Sequence, residues 1–404
     1  MAREKMYELA FQYKDTKLWQ RLYDDEMFAV RLTDGEIGYC SVMGMMGDHL
    51  ALGLYVGDRG YQSFRLLLDT EFELLDNVET GILLTEQDCL QCSFEKKDML
   101  SDEELLEARK YASLHGRALR GKNAFPQFTK YRPGRYPWSY DSELDENRIC
   151  DALSAAIALG DILCQYSKEQ LGLHSLRESG RKIPLLSYED GRWVVRTTAL
   201  PAAEIVYPEP VLVNEVMAAY IKRKKKEGNW EGGTLRIPNA VQGETQKEEA
   251  PYFPLALICV DVATELVQQP IVTDGDNAEE MMNLFAELLM EASTVPKKIS
   301  CGDNRCFAVL KDLCAKTGIQ LIRTDSLAAL PQVMEDFLGN LGIDEEGEPD
   351  FEQLEALFDS WMQMRDGELL QMPEEMAEML LNLAEDGIVP DSLAKRIRNL
   401  FRKR

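Results

Sequence analysis

The sequence predicts a mixed α and β protein that is organised around an α/β unit at residues 253–341. Three observations predict that unit. The apolar run Leu255 to Val262 has the length of a buried strand, and apolar residues recur at helical spacing through Ala278 to Glu291. From Lys298 to Arg323 a strand, a helix and a short strand then follow one another. This alternation is typical of a sheet covered by helices.

Ahead of this unit, residues 1–203 predict an α+β domain with an antiparallel meander and helices. An amphipathic helix comes first. Three apolar segments then predict strands: Met27 to Leu32, Ile37 to Val42 and Leu50 to Val56. The Asp34-Gly35 step between the first two favours a hairpin, because glycine accepts the positive φ of tight turns.

The rest of this domain alternates helices with extended chain. Ser101 and Glu104 have the spacing of a capping box at a helix start. A long, largely buried helix is predicted within residues 142–167. Extended chain is predicted at residues 81–94, 125–140, 183–188 and 193–198.

Residues 204–252 predict a helix and a connector between the two units. The helix covers Asn214 to Lys226. The following stretch, Glu227 to Ala250, is rich in Gly, Glu and Gln, and it therefore predicts an exposed connector.

Residues 342–404 predict an acidic helical C-terminal segment with a basic tip. Between Ile343 and Asp391 sixteen Asp and Glu stand against one Arg, and the last residues, Lys395 to Arg404, reverse the sign. Apolar residues in the acidic stretch keep helical spacing, so the charge is expected on a solvated face. We expect this segment to bind a protein partner or to mediate self-association.

Overall composition and charge indicate which kinds of protein this chain can be. The net charge is -25, which disfavours attraction to nucleic-acid phosphates or anionic lipid. The nine cysteines have no regular spacing, as expected in a reducing compartment. The N-terminus is charged rather than apolar, and no uncharged run approaches the roughly 18 apolar residues of a membrane span. We therefore expect a cytoplasmic protein that binds neither nucleic acid nor membrane.

Two aspartates in the α/β unit are the candidate metal ligands. Asp261 closes the first buried strand, and Asp303 follows the strand that ends at Cys301. If those strands are parallel neighbours, both carboxylates reach the same edge of the sheet, where α/β folds bind ligands. Such a pair can hold Mg²⁺ or Mn²⁺. Further ligands would come from Asp325, Glu335 or Asp336.

With these two acids, residues 253–340 resemble the ribonuclease-H-like fold of nucleases, integrases and transposases. In that family an Asp closes the first strand, another follows the fourth strand and an acid lies on a later helix. The resemblance implies a three-layer α/β domain and metal-dependent phosphoryl chemistry. A third strand and a firmly placed third acid are not evident here.

The same aspartates have a structural interpretation. Asp303 can cap the following helix, and Asp261 can bond the turn at Ala263 and Thr264. Two further motifs have structural alternatives as well. Cys89 and Cys92 have the spacing of half a zinc site, but they also fit a strand. The basic run at residues 222–226 fits the last turn of a helix.

The chain as a whole resembles bacterial multidomain proteins of unknown function, which implies a partition into domains and no reaction. The first hypothesis is a non-catalytic protein-interaction or scaffold protein without a cofactor. It predicts an exposed apolar patch on the order of several hundred Å². The alternative is a divalent-metal-dependent nuclease or phosphotransferase that uses Asp261 and Asp303.

Overall fold

The structure is a computed structural model of the chain, and it describes residues 2–47, 49–72, 75–177, 182–241 and 251–340, together with 395, 396 and 398. Residues 2–340 of this set belong to one compact unit, Met1–Leu341, which contains two mixed sheets. The predicted acidic segment at 342–404 lies outside the described residues, apart from three positions near its end.

The first sheet has eight strands. They are β1 (Phe28–Arg31), β2 (Ile37–Met43), β3 (Ala51–Val56), β4 (Cys89–Glu95), β5 (Phe125–Tyr131), β6 (Trp138–Ser139), β7 (Lys182–Glu189) and β8 (Arg192–Ala199). Their order is β6-β5-β4-β3-β2-β1-β7-β8. Strands β1 to β6 pair antiparallel in chain order, which confirms the predicted meander and extends it to β6. Strand β7 adds in parallel to β1, and β8 forms an antiparallel hairpin with β7.

Helices cover both faces of this sheet. They are α1 (Ala2–Thr16), α2 (Gly57–Asp69), α3 (Asn77–Leu84), α4 (Asp102–Leu114), α5 (Glu143–Ile162) and α6 (Lys168–Leu171). Buried side chains of α1, α4 and α5 pack on one face. Buried side chains of α2 pack on the other.

Side-chain caps set the starts of four of these helices, α3 to α6. The Ser101 hydroxyl accepts a hydrogen bond from the Glu104 backbone N–H at 3.3 Å, and Glu104 accepts one from the Ser101 N–H at 2.9 Å, so the predicted capping box is confirmed. Asp76 and Glu79 form the same motif at α3. The prediction of extended chain from residue 81 is therefore wrong up to Leu84, because the Asp76 cap begins a helix that continues through this apolar run.

The second sheet has five strands. They are β9 (Asn229–Arg236), β10 (Leu255–Asp261), β11 (Ile271–Thr273), β12 (Lys298–Cys301) and β13 (Gln320–Arg323). Their order is β11-β10-β9-β12-β13. Strands β9, β10 and β11 pair antiparallel, whereas β9, β12 and β13 pair in parallel. The central strand is thus β9.

Strand β9 corrects the prediction of an exposed connector at Glu227 to Ala250, of which residues 242–250 lie outside the described residues. Its two glycines gave the segment the composition of a linker. They serve close packing instead: a Cβ on Gly233 would lie 2.7 Å from Met334 Cε and 2.9 Å from Leu330 Cδ2. Glycine here lets a helix approach the strand backbone.

Helices again cover both faces. They are α7 (Glu215–Arg223), α8 (Ala278–Glu291), α9 (Asn304–Thr317) and α10 (Leu330–Asn340). Helices α7, α8 and α9 share one core with Leu255, Leu257 and Cys259. Helix α10 packs on the opposite face, against Ile258 and Val260. None of the helices within the described residues is both long and apolar enough to cross a membrane.

Candidate functional site

The Asp261 side chain stabilises a turn. Its Oδ1 accepts hydrogen bonds from the Ala263 N–H at 3.0 Å, from the Thr264 N–H at 3.1 Å and from the Thr264 hydroxyl at 3.1 Å. This is the structural role that the sequence offered as the alternative to metal binding. An oxygen with three donors already has its ordinary hydrogen-bonding capacity filled.

Asp303 joins a helix start to the central strand. One oxygen accepts from the Cys306 N–H at 2.7 Å and caps α9. The carboxylate also accepts from the Thr234 N–H at 2.7 Å and from the Thr234 hydroxyl at 2.9 Å. The backbone pairing of β12 with β9 ends at Cys301. Beyond that residue, the Asp303 side chain continues the hydrogen bonding to β9.

The assumption that Asp261 and Asp303 end parallel neighbouring strands is wrong. Strand β10 runs antiparallel to β9, β12 runs parallel to it, and β9 lies between them. Asp261 is therefore level with Trp230, whereas Asp303 contacts Thr234. Four residues of strand correspond to about 13 Å. One cation needs both oxygens within about 2.6 Å, so the strand geometry that was to support a shared Mg²⁺ or Mn²⁺ site is missing.

The further ligands proposed for that site lie elsewhere. Asp325 pairs with Arg323 at 2.7 Å on the surface. Glu335 and Asp336 are exposed on α10 and accept hydrogen bonds from Gln332. Among the described residues, no group of three or more His, Cys, Asp or Glu side chains is placed to hold a metal ion.

The half zinc site is divided by the first sheet. Cys89 belongs to the apolar cluster on the α2 face, and Cys92 belongs to the cluster on the α1, α4 and α5 face. Side chains three residues apart on a strand point to opposite faces, so these two thiols cannot share a metal. All nine cysteines are free thiols, and eight of them are buried.

Glu231 is an acid that the sequence interpretation missed, because it lies in the segment predicted as a connector. Its carboxylate accepts hydrogen bonds from the N–H groups of Ala328, Ala329 and Leu330 at 2.8 to 3.1 Å. It therefore binds the N-terminus of α10, where a negative charge is favoured. Burial acts to raise the pKa of Glu231, but those three N–H groups and Lys298 together hold it below its usual value.

Apolar side chains from α10 and the segment before it fill the space between Glu231 and Asp303. A Cβ on Gly302 would lie 2.7 Å from Leu327 Cδ1, and one on Gly233 would lie 3.2 Å from Asp303 Oδ2. The side chains at this edge of the sheet are therefore packed as in a protein core.

Two residues of the basic run at 222–226 bind the ends of neighbouring helices. Lys224 donates to the backbone carbonyls of Met290 and Ala292 at the end of α8. Lys226 donates at 2.8 Å to the carbonyl of Thr317, the last residue of α9. Cations at helix C-termini satisfy free carbonyls and favour the dipole.

The opposite side of α7 is exposed and apolar. Val211 and Val213 are 57% and 79% exposed, and Val216 and Tyr220, one helical turn apart, are 81% and 54% exposed. We call these four residues the α7 surface. Between the two valines, Leu212 is buried and its N–H donates to Asp312 at 2.8 Å, so this segment is anchored on α9.

A buried group of charges joins the two sheets. Arg236, whose side chain is 1% exposed, donates to Glu86 at 2.8 Å and to Asp276 at 2.7 Å. Arg305 in the first turn of α9 donates to the other oxygen of Glu86 at 2.7 Å. Each of the two acids contacts both arginines, so removing one member would weaken two ion pairs in a buried site.

The neighbouring charges hold two members of this group in the ionised form. Burial acts to raise the pKa of Asp276, but Arg236 and Arg305 together lower it. Burial acts to lower the pKa of Arg305, but Glu86 and Asp276 together raise it. We therefore expect Asp276 and Arg305 to stay charged at neutral pH.

The loop between β5 and β6 completes this junction. Gly134 has φ +71, and a Cβ there would lie 2.5 Å from Arg236 Nη1. Its N–H donates to Thr85 at 2.8 Å and its carbonyl accepts from Phe253 at 2.8 Å. Both the backbone conformation and the close approach of Arg236 therefore require glycine.

Two protein-family models match this chain, in two separate stretches. Residues 4–171 match the model of a domain of unknown function, DUF7309, and residues 217–338 match the model of another, DUF6930. The first match covers α1 to α6 and the meander, and the second runs from α7 into α10 with all five strands of the second sheet. No curated protein matches the chain. The two matches agree with the predicted resemblance to multidomain proteins of unknown function.

Proposed function

We propose that this chain is a non-catalytic protein-interaction protein and that the α7 surface is where its partner docks. The observation that carries the proposal is the exposure of Val211, Val213, Val216 and Tyr220 on α7 and just before it. Together they offer an apolar area on the order of several hundred Å², and surface patches of that size are often functional.

The charges beside this surface indicate the charge that a partner would carry. Lys222 and Arg223 follow Tyr220 and are exposed, and neither has an ion pair or hydrogen bond with the residues that the structure describes. The partner we infer is a protein segment, helical in form, with an apolar stripe flanked by carboxylates. The apolar contacts would supply affinity and the two cations would set orientation.

The roles of the acids in the second sheet support a function without catalysis. Asp261 bonds a turn, Asp303 caps α9 and binds β9, and Glu231 binds the start of α10. A catalytic carboxylate needs oxygens directed at a substrate or metal, whereas these are directed at backbone N–H groups.

We further propose that residues 229–340 are a ribonuclease-H-like domain that serves as scaffold. Three antiparallel strands followed by two strands parallel to the first, each of these two preceded by a helix, support the resemblance. In this strand order β9 is first and β12 fourth. Asp303 then follows the fourth strand, as in that family, but the first strand carries Glu231 rather than Asp261.

The nine free thiols support our proposal that the protein works in the cytoplasm. Eight of them are buried in cores or helix faces that need no covalent link.

In-cell photo-crosslinking tests the docking proposal. A benzoylphenylalanine at Val216 should give an adduct whose cross-linked peptide is acidic and amphipathic. The same probe at Arg192, exposed on β8, is the matched control. Reversing the charge of Lys222 and Arg223 to Glu should weaken the adduct.

Two results would overturn the proposal. An adduct no stronger than the one at Arg192 would mean that the surface has no partner. An adduct only with a second copy of this chain would replace the proposed partner by self-association.

A further inference from the structure

Two of the buried thiols in the second sheet are in contact with each other. Cys301 is the last residue of β12, and Cys306 lies in the first turn of α9. The Cys306 thiol donates a hydrogen bond to the Cys301 sulfur, and the two sulfur atoms are 3.4 Å apart. The structure describes all nine cysteines, and among them only these two are hydrogen-bonded to each other. The contact therefore singles out one pair in a core that holds several cysteines.

The geometry of this pair is close to that of a disulfide. Bonded sulfurs lie about 2.05 Å apart, so the two atoms would have to approach each other by about 1.4 Å. The chain between the two cysteines is a turn of four residues, 302–305, which joins the end of a strand to the start of a helix. A local adjustment of this turn can supply the approach, without movement of a whole strand or helix.

The same turn controls access to the two sulfurs. Both cysteines are buried. The turn that joins them lies at the surface, where Asn304 is exposed and Gly302, Asp303 and Arg305 are half-buried. Chain segments of this kind open locally more often than the whole fold does. Hydrogen peroxide is little larger than water, so it needs a smaller opening than a bulky disulfide reagent.

The two thiols are not equivalent. The hydrogen bond to Cys301 and burial both raise the pKa of Cys306 well above its usual value. Cys306 therefore keeps its proton, and Cys301 is the member of the pair that ionises first. A thiolate at Cys301 would accept the hydrogen bond that Cys306 donates. Since the thiolate is the nucleophile, Cys301 is suited to attack an oxidant and Cys306 to react second.

We propose that Cys301 and Cys306 are an oxidation site at which hydrogen peroxide forms a reversible disulfide. The Cys301 thiolate attacks one peroxide oxygen, the O–O bond breaks, and the hydroxide that leaves takes up a proton as water. The Cys306 sulfur then attacks the sulfur of the Cys301 sulfenic acid. The S–O bond breaks, and hydroxide leaves with the Cys306 proton as a second water. The two thiols lose two electrons, and the peroxide gains them.

The disulfide would add a covalent link between the central sheet and α9. In the reduced protein this joint is held by Asp303, which caps α9 and binds Thr234 on β9. Oxidation would fix the same joint more firmly, and cellular thiols would release it again. The proposal is independent of the α7 surface.

Peptide mapping of the full chain tests the proposal. The folded protein is treated with hydrogen peroxide, unfolded, blocked with N-ethylmaleimide and digested with trypsin. Trypsin cuts after Arg305 and so separates the two cysteines. Peptides 299–305 and 306–311 should be recovered as one disulfide-linked species. Dithiothreitol added before blocking should separate them and allow maleimide to label both.

Other thiols of the chain provide the controls. Cys164 is exposed, so its oxidation shows that peroxide has acted on the protein. Cys306→Ala should abolish the linked species, whereas Cys314→Ala, a buried position further along α9, should retain it. If Cys306→Ala fails to fold, the map of the wild-type protein still decides the question.

Three results would overturn the proposal. Full labelling of Cys301 and Cys306 after Cys164 has been oxidised would mean that the pair does not react. A link from either cysteine to Cys259, which lies in the same core, would show that the pairing is wrong. A linked species that forms only when peroxide is added to the unfolded chain would show that the contact in the folded protein plays no part.

Discussion

Helices α10 and α7 lie on opposite faces of the same five-stranded sheet and use their apolar residues in opposite ways. Leu330 of α10 is 2% exposed and packs with Ile258 and Val260. In contrast, Val216 and Tyr220 of α7 point away from the core that Ala218 and Ile221 help to form. One helix closes the sheet, and the other completes a core while leaving an apolar side uncovered.

This difference separates stability from recognition. Substitutions under α10 should cost folding free energy, whereas substitutions on the α7 surface should leave folding intact and change only binding. Four predictions follow the comparison from the largest expected effect to the smallest.

Leu330→Ala should destabilise the protein by about 2 to 5 kcal/mol, because it opens a cavity above Gly233 of β9. Chemical denaturation measures the free energy of unfolding. Val216→Ala on α7 is the matched control and should change it by no more than about 0.5 kcal/mol. Similar losses for both variants would mean that α7 is covered in the folded protein.

Glu231→Gln should cost about 1.5 to 3 kcal/mol at neutral pH, because a charged acceptor of three N–H groups becomes neutral. The pKa of Glu231 is lowered in the folded state, so its charge stabilises the fold above the unfolded pKa of about 4.3. That contribution is lost as the pH falls through the lower, folded pKa. The stability difference between wild type and variant should therefore shrink on acidification; a constant difference down to pH 2 would contradict this role.

Gly233→Ala should cost about 1 to 3 kcal/mol, because its Cβ would press on Leu330 and Met334. Gly339→Ala, in helix α10 itself, is the control, since a Cβ there meets nothing within 4 Å. It should stabilise by up to about 1 kcal/mol. Thermal melts of the two variants should therefore move in opposite directions.

Lys226→Met should cost about 0.3 to 1 kcal/mol, because the Thr317 carbonyl at the end of α9 loses its cation. Lys222→Met, on the exposed side of α7, should change stability less than that, but it should weaken the partner contact proposed above. Equal stability of wild type and Lys226→Met would show that this lysine contributes nothing to the end of α9.

Local pattern predicted much of the secondary structure of the second sheet. The predicted helix Ala278 to Glu291 and strand Lys298 to Cys301 have the bounds seen in the structure. Each has either a strong apolar periodicity or a clear sequence signal at its end. Neither prediction depends on distant residues. Strand β9 was missed, because the need for glycine at position 233 is evident only once α10 packs on the strand.

The strand arrangement assumed for the candidate metal site was wrong for a related reason. A run such as Leu255 to Val262 indicates a buried strand, but its direction relative to Lys298 to Cys301 is a property of the sheet. The insertion of β9 between them separates Asp261 from Asp303. The buried charges that join the two sheets left even less signal, since Glu86, Arg236 and Arg305 are far apart in the chain and belong to no local motif.

By itself, the sequence determined the class of the protein, most helix and strand positions and the capping of α4, since these depend on periodicity and short-range hydrogen bonds. Only the tertiary structure decided which strand is central, which carboxylates are occupied by backbone N–H groups, and where cations and apolar side chains stay available. Those properties depend on burial and on contacts between distant residues. Such contacts arise when the sheets pair and pack, so no local stretch of sequence contains them.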